Sequence, residues 1–554
     1  MIRARRAQRR FAYPAACAVA LFVTVGAYAN HFHGDFHFDD SHTIQNNAFI
    51  RSVRNIPLFF TSTSTFSSLP ANQSYRPLVT TTLAVDYWLG GGLNPVAFHV
   101  TSFSLFLIQC ALMLVFFRRV MDRARPDHDN RWLALLVTAA YALHPANAET
   151  VNYIIARSEI LSTLGVVLAL VLFARGGAAR RYHLYLIPAV AAVLGKETGA
   201  MFAPLLFLYV VFFERDVSLR EMFRPREIVA ALRATWPSFL VCSVSVYTAI
   251  RMATTYTPGG TSRWQYLLTE PFVVIHYARS LFLPISLSAD TQWPLVADPL
   301  DARVLIGVAF LATSLALAWV TSRRRETRPI AFGVLWFFLA LLPTSSLVPL
   351  AEPMNDHRMF FPFVGLMLAV VWGIGLAVKR LAAKRSGAWA RPLLASAAVA
   401  VLLAMAYGTR QRNIVWRTEE SLWLDATNKS PDNGRGLMNY GVIQMNKGNL
   451  IVADEYFDRA LRYIPQYAYL HVNIGILKNA LGQPAEAERH FREAQLDDPR
   501  NPVSYTYFAR WLMSRGRTVE ALLFAQRAVE LSPADADARN LLNDLALAKS
   551  NLKR

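Results

Sequence analysis

Long apolar runs separated by short polar connections occupy the first three quarters of the chain. A helix that crosses a bilayer core of about 30 Å needs about twenty apolar residues, and fewer where it packs inside protein. The pattern therefore predicts an all-α, polytopic membrane domain over residues 1–408. Its about eleven predicted spans are residues 11–30, 97–117, 131–144, 160–174, 182–195, 199–213, 236–250, 303–320, 330–350, 360–378 and 392–408.

After residue 408 the same residue types recur every 34 positions. The five columns are Gly441, Gly475 and Ala509; Gly448, Gly482 and Gly516; Ala453, Ala487 and Ala521; Ala460, Ala494 and Ala528; and Pro465, Pro499 and Pro533. This period, with small residues where two helices cross and proline after the second helix, is typical of the tetratricopeptide repeat. Residues 409–554 are therefore predicted to form an α-solenoid of about three repeats, a leading half-repeat and a capping helix. Its concave surface suits an extended peptide or a partner helix, and a folding or oligomerisation platform is the open alternative.

Composition and charge agree with a membrane protein. The chain has 554 residues, of which 54% are hydrophobic and 17% charged, more apolar than a soluble core requires. The net charge of +19 does not indicate nucleic-acid binding, because the basic residues recur between apolar spans and do not cluster with stacking aromatics. The three cysteines, Cys17, Cys110 and Cys242, lie far apart in apolar segments and predict neither a disulfide framework nor a metal cluster.

Alternate connections between the spans are strongly basic, which predicts the topology. They are the segment from Arg3 to Arg10, "FFRRVMDRAR", "ARGGAARR", "ERDVSLREMFRPRE", "TSRRRETR" and "VKRLAAKR". Basic connections stay in the cytoplasm, so the N-terminus is predicted to be cytoplasmic. Residues 31–95, 144–159, 251–302 and 351–362 are then predicted on the opposite side. An odd number of spans places the repeats there too.

Two segments allow a second interpretation. The basic start, the apolar run and "AYA" before Asn30 also resemble a signal peptide with its cleavage site. Residues 264–287 are apolar enough for a span, but Glu270, His276 and Arg279 interrupt them. An interfacial amphipathic helix fits that segment better.

The first external loop carries an acid pair, Asp39 and Asp40, in "FDD", close to the end of the first span. Such a pair suits general-base activation of a hydroxyl or the binding of a divalent cation, and a helix cap or solvated loop is the simpler interpretation. Four histidines of this stretch have irregular spacing, and no cysteine accompanies them, so zinc ligation is only weakly indicated. They are His31, His33, His37 and His42.

Charged and polar residues return in three further connections, on the predicted external side or between two spans. They are His144, Glu149, Asn152, Arg157 and Glu159 in "LHPANAETVNYIIARSEIL"; Lys196 and Glu197 in "GKETG"; and Asp356, His357 and Arg358 in "NDHRMFFP". Charge that faces lipid is costly, so these side chains are expected to face a cavity. Together with the acid pair they predict one shared polar site at the external surface.

The four motifs, followed by tetratricopeptide repeats, resemble the transmembrane and tetratricopeptide-repeat O-mannosyltransferases and their bacterial relatives, which are polyprenol-dependent GT-C glycosyltransferases. The resemblance implies a multispanning helical fold in a bacterial inner membrane, with the repeats in the periplasm. It also implies transfer of a sugar, mannose as the first guess, from a polyprenyl-phosphate donor to a Ser or Thr hydroxyl of a secreted or envelope protein. Eukaryotic members have Glu-Arg and then Tyr in the last motif, where this chain has His357, Arg358 and Phe360.

Carried over to this chain, the resemblance assigns the catalytic acid pair to Asp39 and Asp40, with Asp39 as the general base. Cations stabilise a leaving phosphate as its charge develops. Arg358 is predicted as the main phosphate-binding cation, followed by Arg157, Lys196 and His357. The other predicted site residues are His144, Glu149, Asn152, Glu159 and Glu197. The cofactor stays open, with a divalent cation on Asp39 and Asp40 as one option.

Two other classes of function remain open. A non-catalytic membrane scaffold would recruit envelope proteins through its repeats and would tolerate loss of Asp39. A lipid-linked sugar flippase or transporter would have paired internal repeats and interrupted helices, and no such repeat is visible in the membrane part. The sequence leaves open which sugar is moved and whether the acceptor is protein, lipid or polysaccharide.

Overall fold

The computed structural model describes residues 2–253, 262–346, 349–384, 390–533 and 535–552. The chain divides into two compact units. The first consists of Met1–Leu287 and Trp293–Thr418, and the second of Ser288–Gln292 and Glu419–Arg554. Every regular element in the described ranges is a helix, so the predicted all-α class is confirmed.

The described part of the first unit contains helices α1–α17, which short 3₁₀ and π turns connect. They are α1 (Ile2–Ala27), α2 (Ile56–Phe59), α3 (Pro77–Leu89), α4 (Pro95–Ala124), α5 (Arg131–Ala142), α6 (Asn147–Asn152), α7 (Arg157–Arg175), α8 (Gly177–Arg181), α9 (Leu186–Gly195), α10 (Phe202–Tyr209), α11 (Leu219–Met222), α12 (Pro225–Met252), α13 (Arg263–Ser280), α14 (Ala302–Ser322), α15 (Arg328–Leu341), α16 (Phe360–Lys384) and α17 (Ala390–Val415).

Eight helical segments in the described ranges are long and apolar enough to cross a membrane. They are Phe11–His33, Pro95–Ala124, Ile154–Arg175, Glu197–Glu214, Pro225–Met252, Ala302–Ser322, Asp356–Leu381 and Pro392–Val415. The three remaining predicted spans are the shorter helices α5, α9 and α15, of 12, 10 and 14 residues. At about 1.5 Å per residue they are shorter than a bilayer core. The polytopic membrane domain is confirmed, with eight full-length helices and these three shorter ones.

Residues 534 and 553–554 of the predicted repeat domain lie outside the described residues, as do parts of the predicted membrane domain. In the membrane domain these parts are residue 1, residues 254–261 of the external segment 251–302, residues 347–348 of the span 330–350, and residues 385–389, which begin at the end of the last basic connection. The ambiguous segment 264–287 begins with helix α13, which buries Tyr266, Glu270 and Tyr277 and leaves Trp264 exposed. Between Gln265 and Ala278 the helix has no exposed side chain, so its burial does not define a solvent-facing side. Its position at a membrane interface stays a prediction.

Helices α15 and α16 pack with their backbones in close approach. A Cβ atom added to Gly365 would lie 2.6 Å from the carbonyl oxygen of Gly333 and 2.6 Å from Cγ of Trp336. Small residues allow such approach between apolar helices, where dispersion and not water exclusion holds the helices together. Because Asp356–Met359 leads directly into α16, this packing also sets the position of the last sequence motif.

The second unit contains helices α18–α25 in its described residues. They are α18 (Glu419–Lys429), α19 (Gly434–Asn446), α20 (Leu450–Leu461), α21 (Ala468–Ala480), α22 (Pro484–Asp497), α23 (Pro502–Ser514), α24 (Thr518–Leu531) and α25 (Ala536–Leu552). Three helical hairpins, a leading helix and a trailing helix match the predicted tetratricopeptide-repeat solenoid, which is confirmed. The periodic Gly448, Gly482 and Gly516 have φ of +82°, +74° and +74° in the turns, a conformation that favours glycine.

Helix α17 continues past the predicted domain boundary at residues 408–409 and ends at Val415. Polar side chains in this last part of α17 form hydrogen bonds with other segments of the first unit. The Thr409 hydroxyl donates to the carbonyl of Leu143 at 2.7 Å, and Asn413 donates to the carbonyl of Ala27 at 3.1 Å. The two units therefore separate between residues 418 and 419.

We expect Gly365→Ala to destabilise the full chain by about 1–3 kcal/mol, because its methyl group meets backbone and the base of an indole. Gly373→Ala, on the same helix, is the matched control, since its Cβ meets only Cδ1 of Ile330 at 3.6 Å. The control should be neutral or slightly stabilising, because alanine favours helix. Thermal unfolding of both purified variants measures the difference, and equal melting temperatures would contradict the close packing.

Candidate functional site

One polar cavity of about 390 Å³ in the first unit is lined by all four sequence motifs. The acid loop contributes Asp39, the second motif Glu159, the third Lys196 and the fourth His357. The other polar residues of its lining are His42, Thr43, Asn72, Ser74, Arg76, Tyr153 and Ser158. A cavity of this size and polarity suits a small ligand rich in hydroxyls and negative charge.

Asp39 is the acid of the pair that faces the cavity, and its side chain is 56% exposed. The preceding Phe38 has φ of +49°, a strained conformation for a bulky residue, which turns the chain so that the two acids diverge. Nε2 of His42 lies 3.2 Å from the Asp39 carboxylate. Burial raises the pKa of Asp39, but the hydrogen bond and charge of His42, with Tyr153 and Arg76, lower it below its usual range. Asp39 is therefore ionised at neutral pH and able to accept a proton.

Asp40 points into the protein and is fully buried. Its Oδ2 accepts the backbone N–H of His37 at 3.1 Å, and its Oδ1 accepts that of Ile155 at 2.9 Å. Burial raises the pKa of Asp40 to about 7, against the effect of these two hydrogen bonds. Since both oxygens are bound to backbone, Asp40 fixes the acid loop to the second motif. The pair does not present two carboxylates to one cation, so a metal in the cavity would take Asp39 alone from it.

Two cations lie in the cavity wall, and each pairs with a carboxylate. Lys196 forms an ion pair with Glu159, and both side chains are nearly buried. Arg76 lies 3.2 Å from Glu197, which is 42% exposed and does not itself line the cavity. The sequence interpretation missed Arg76. The available signal was its isolation, since it is the single basic residue between Arg54 and His99.

His144 and Asn152 of the second motif are buried, and their side chains form hydrogen bonds with other segments of the first unit. His144 lies with Nε2 3.0 Å from the carbonyl of Leu281 and accepts the N–H of Ala146 on Nδ1. Asn152 contacts Nδ1 of His31 at 3.0 Å and donates to Asn413 at 2.7 Å. Neither residue lines the cavity. Their direct roles in the reaction stay predictions.

Arg157 has no exposed surface, and each of its three guanidinium nitrogens donates at least one hydrogen bond. It lies 2.5 Å from the Asp86 carboxylate and donates to the hydroxyl of Ser102 and to the carbonyl of Phe98. Asp86 is the partner that the sequence interpretation missed. The ion pair joins α3, α4 and the start of α7 behind the cavity, so Arg157 positions the motif. Its predicted contact with a donor phosphate stays a prediction.

The two basic residues of the last motif differ in position, since His357 lines the cavity and Arg358 does not. His357 lines the cavity, and its Nδ1 lies 3.1 Å from Oε1 of Glu149. Burial, together with the charge of Asp356, raises the pKa of Glu149. Arg358 is 8% exposed and donates to the carbonyls of Glu352 and Pro353 at 2.8 and 2.9 Å, away from the residues that line the cavity. Its predicted phosphate contact also stays a prediction.

The fold and this cavity define a polytopic helical membrane protein with a tetratricopeptide-repeat unit. No protein-family model matches the chain. Its homologues are the transmembrane and tetratricopeptide-repeat O-mannosyltransferases, so the resemblance seen in the motifs is confirmed. It is 24% identical to the protein O-mannosyl-transferase Tmtc3 of Drosophila melanogaster over 85% of this chain and 58% of that protein. It is 25% identical to TMTC4 of Homo sapiens, over 78% and 64% of the two chains, and 24% identical to human TMTC1, over 92% and 62%.

The chain thus spans about three fifths of the length of these relatives. Among solved structures it is similar to ArnT from Cupriavidus metallidurans in the apo state, with a TM-score of 0.31 and 15% identity over 76% of this chain and 78% of that one. It is also similar to the Cut9–Hcn1 hetero-tetramer, with a TM-score of 0.25 and 12% identity over 85% and 89%.

Asp86→Asn should leave the Arg157 guanidinium buried without a counter-charge, which costs about 3–5 kcal/mol of stability. The control is Asp537→Asn, which removes an exposed pair with Arg510 at 3.3 Å and should change stability by about 0–1 kcal/mol. Thermal unfolding of the full chain measures both. If the two variants melted alike, the buried pair would not be the support inferred for the second motif.

Proposed function

We propose that the protein is a membrane glycosyltransferase that moves a sugar from a polyprenyl-phosphate donor to an acceptor hydroxyl. The observation that carries this proposal is the exposed, ionised Asp39 in a cavity whose wall also holds Arg76 and Lys196. A carboxylate beside cations suits a reaction that needs a base for the nucleophile and positive charge for the leaving group. The names of the homologues favour mannose as the sugar and a protein hydroxyl as the acceptor.

In this reaction the acceptor oxygen forms a bond to the anomeric carbon of the sugar, while the bond from that carbon to the phosphate oxygen breaks. The acceptor proton passes to Asp39, and polyprenyl phosphate leaves with the electron pair. His42 lies 3.2 Å from Asp39 and holds the carboxylate in place. A base already ionised at neutral pH needs no prior loss of a proton.

Arg76 and Lys196 are the proposed contacts of the leaving phosphate. Charge-assisted hydrogen bonds to phosphate are about twice as strong as neutral ones, and they strengthen as the leaving group gains charge. Glu197 and Glu159 hold these cations in place through ion pairs. The prenyl chain would lie between the apolar helices of the first unit, which explains why the enzyme is embedded in a membrane.

The location proposed for the reaction is the periplasmic side of a bacterial inner membrane. The basic connections place the cavity-lining loops opposite the cytoplasm. If the three shorter helices cross the membrane together with the eight long ones, the odd total favours the same side for the repeat unit, where we propose that it binds the acceptor protein. A non-catalytic scaffold that recruits envelope proteins through these repeats is the competing function.

Asp39→Asn keeps the size of the side chain but removes its ability to accept a proton. We expect turnover to fall by about two to four orders of magnitude, the usual contribution of a general base. The assay is release of polyprenyl phosphate from polyprenyl-phosphate mannose by the purified full chain with an acceptor peptide. Binding of the donor should survive, because the cations are untouched.

The matched control is Asp35→Asn, an exposed acid of the same loop that does not line the cavity. It should keep the wild-type rate. A correctly inserted Asp39→Asn protein that transfers sugar at that rate would exclude Asp39 as the base. If the wild-type protein released no polyprenyl phosphate from any lipid-linked sugar, the scaffold function would be favoured instead.

The proposed topology has its own test. A reporter that is active only in the periplasm, fused to the C-terminus, should be active, and a cytoplasmic reporter at the same place should be silent. The opposite result would place the repeats in the cytoplasm and contradict acceptor binding at the proposed site.

A further inference from the structure

Two helices of the second repeat bring two histidines and a glutamate together. His471 lies on α21, and His490 and Glu493 lie one turn apart on α22. The two Nδ1 atoms are 2.9 Å apart, and Oε2 of Glu493 is 3.2 Å from Nδ1 of His471 and 3.0 Å from Nδ1 of His490. Three potential ligand atoms therefore form a nearly equilateral triangle.

This triangle has the dimensions of one face of a tetrahedral metal site. Zinc binds imidazole nitrogen and carboxylate oxygen at about 2.0–2.2 Å, which separates neighbouring ligand atoms by about 3.3 Å. The three observed separations are only slightly shorter. A cation above the centre of the triangle would reach all three atoms with small side-chain adjustments.

The surroundings of His471 leave the lone pair of its Nδ1 free to face the centre of the triangle. Its Nε2 lies 2.9 Å from the carbonyl of Pro465, which can only accept, so Nε2 carries the proton and Nδ1 is free of it. Oδ2 of Asp497 lies 3.5 Å from the same Nε2. A metal-binding histidine is commonly oriented in this way by a carbonyl or carboxylate on its other nitrogen.

Burial and access also fit a metal site. The side chains of His471 and His490 are 8% and 5% exposed, so their positions are restrained. Oε2 of Glu493 and Oδ2 of Asp497 are buried and make no hydrogen bond, although both lie close to an imidazole nitrogen. A cavity of about 450 Å³ opens beside the cluster and leaves room for water as the fourth ligand.

We propose that His471, His490 and Glu493 bind a divalent cation of the zinc class, with the carbonyl of Pro465 orienting His471. A neutral imidazole pair with one carboxylate suits zinc and its transition-metal neighbours better than magnesium or calcium, which prefer all-oxygen sites. The cation joins α21 to α22 and stabilises the second repeat. This site is independent of the proposed glycosyl transfer.

Arg489 competes with the cation. Its Nη2 lies 3.0 Å from Nε2 of His490, which must carry the proton once Nδ1 binds metal. Arg489 is 54% exposed, and besides His490 it pairs with Glu486 at 3.0 Å and, through Nη1, with Oε1 of Glu493 at 2.9 Å. It therefore holds two of the three proposed ligands by contacts that an exposed side chain can give up. Removing its charge from beside the cation should strengthen binding.

The test uses the full chain in detergent, stripped with a chelator and dialysed against a limiting Zn²⁺ concentration. The wild type should retain one equivalent more zinc than His490→Gln and Glu493→Gln, measured by elemental mass spectrometry. Asp497→Asn removes a negative charge 3.5 Å from Nε2 of His471, so it should keep the site but bind several-fold more weakly. Arg489→Ala should bind several-fold more tightly than the wild type.

The matched control is Asp458→Asn, an exposed acid that lines the same cavity and is not within hydrogen-bond distance of either histidine. It should retain zinc like the wild type, and histidines elsewhere in the chain contribute equally to all variants. Because a variant could misfold, a second measurement uses Co²⁺, whose strong visible absorption reports tetrahedral ligation in the wild type. Equal zinc content in wild type, His490→Gln and Glu493→Gln, or a Co²⁺ spectrum without tetrahedral bands, would overturn the site.

Discussion

A guanidinium with no exposed surface has to find every partner inside the protein, and Arg157 sets this constraint for the membrane unit. Its ion pair with Asp86 and its hydrogen bonds to α4 require α3, α4 and the start of α7 to meet at one point. Breaking the pair would leave a charge in an apolar interior, so the arrangement is strongly specified. The first loop passes directly over this junction, where Asp40 binds the backbone of Ile155. The Arg157–Asp86 ion pair and the hydrogen bond from Ile155 to Asp40 together fix the position of the neighbouring Asp39.

The polar residues of the motifs consequently divide into two groups. His144, Asn152 and Arg157 are buried, and their polar atoms contact other buried groups. Asp39 and Arg76 are at least partly exposed to the cavity, where a ligand can reach them. The hydrogen bonds of the first group hold the structure in place, whereas the side chains of the second group can contact a ligand. In the proposed reaction, a carboxylate held by buried neighbours would need little reorganisation as it accepts the proton.

Much of the fold could be predicted from sequence because its signals are local. Apolar runs predict the membrane helices, and a 34-residue period predicts the repeats. The site could be predicted only in part, because adjacent residues such as Asp39 and Asp40 differ in the direction of their side chains, which depends on the strained turn at Phe38. The same holds for His357 and Arg358. The histidine pair of the second repeat escaped notice because its members are 19 residues apart on different helices.

The short helices explain why the motifs meet. Helix α5 ends at Ala142, just before the second motif, and α9 ends at Gly195, just before the third. Where a helix stops inside a packed unit, its last carbonyls and the following turn lose their helical partners and must be satisfied by other groups. Asn147 donates to the carbonyl of Tyr141 at 2.7 Å, and Thr409 of α17 donates to that of Leu143. The motif is polar, then, partly because it ends a buried helix.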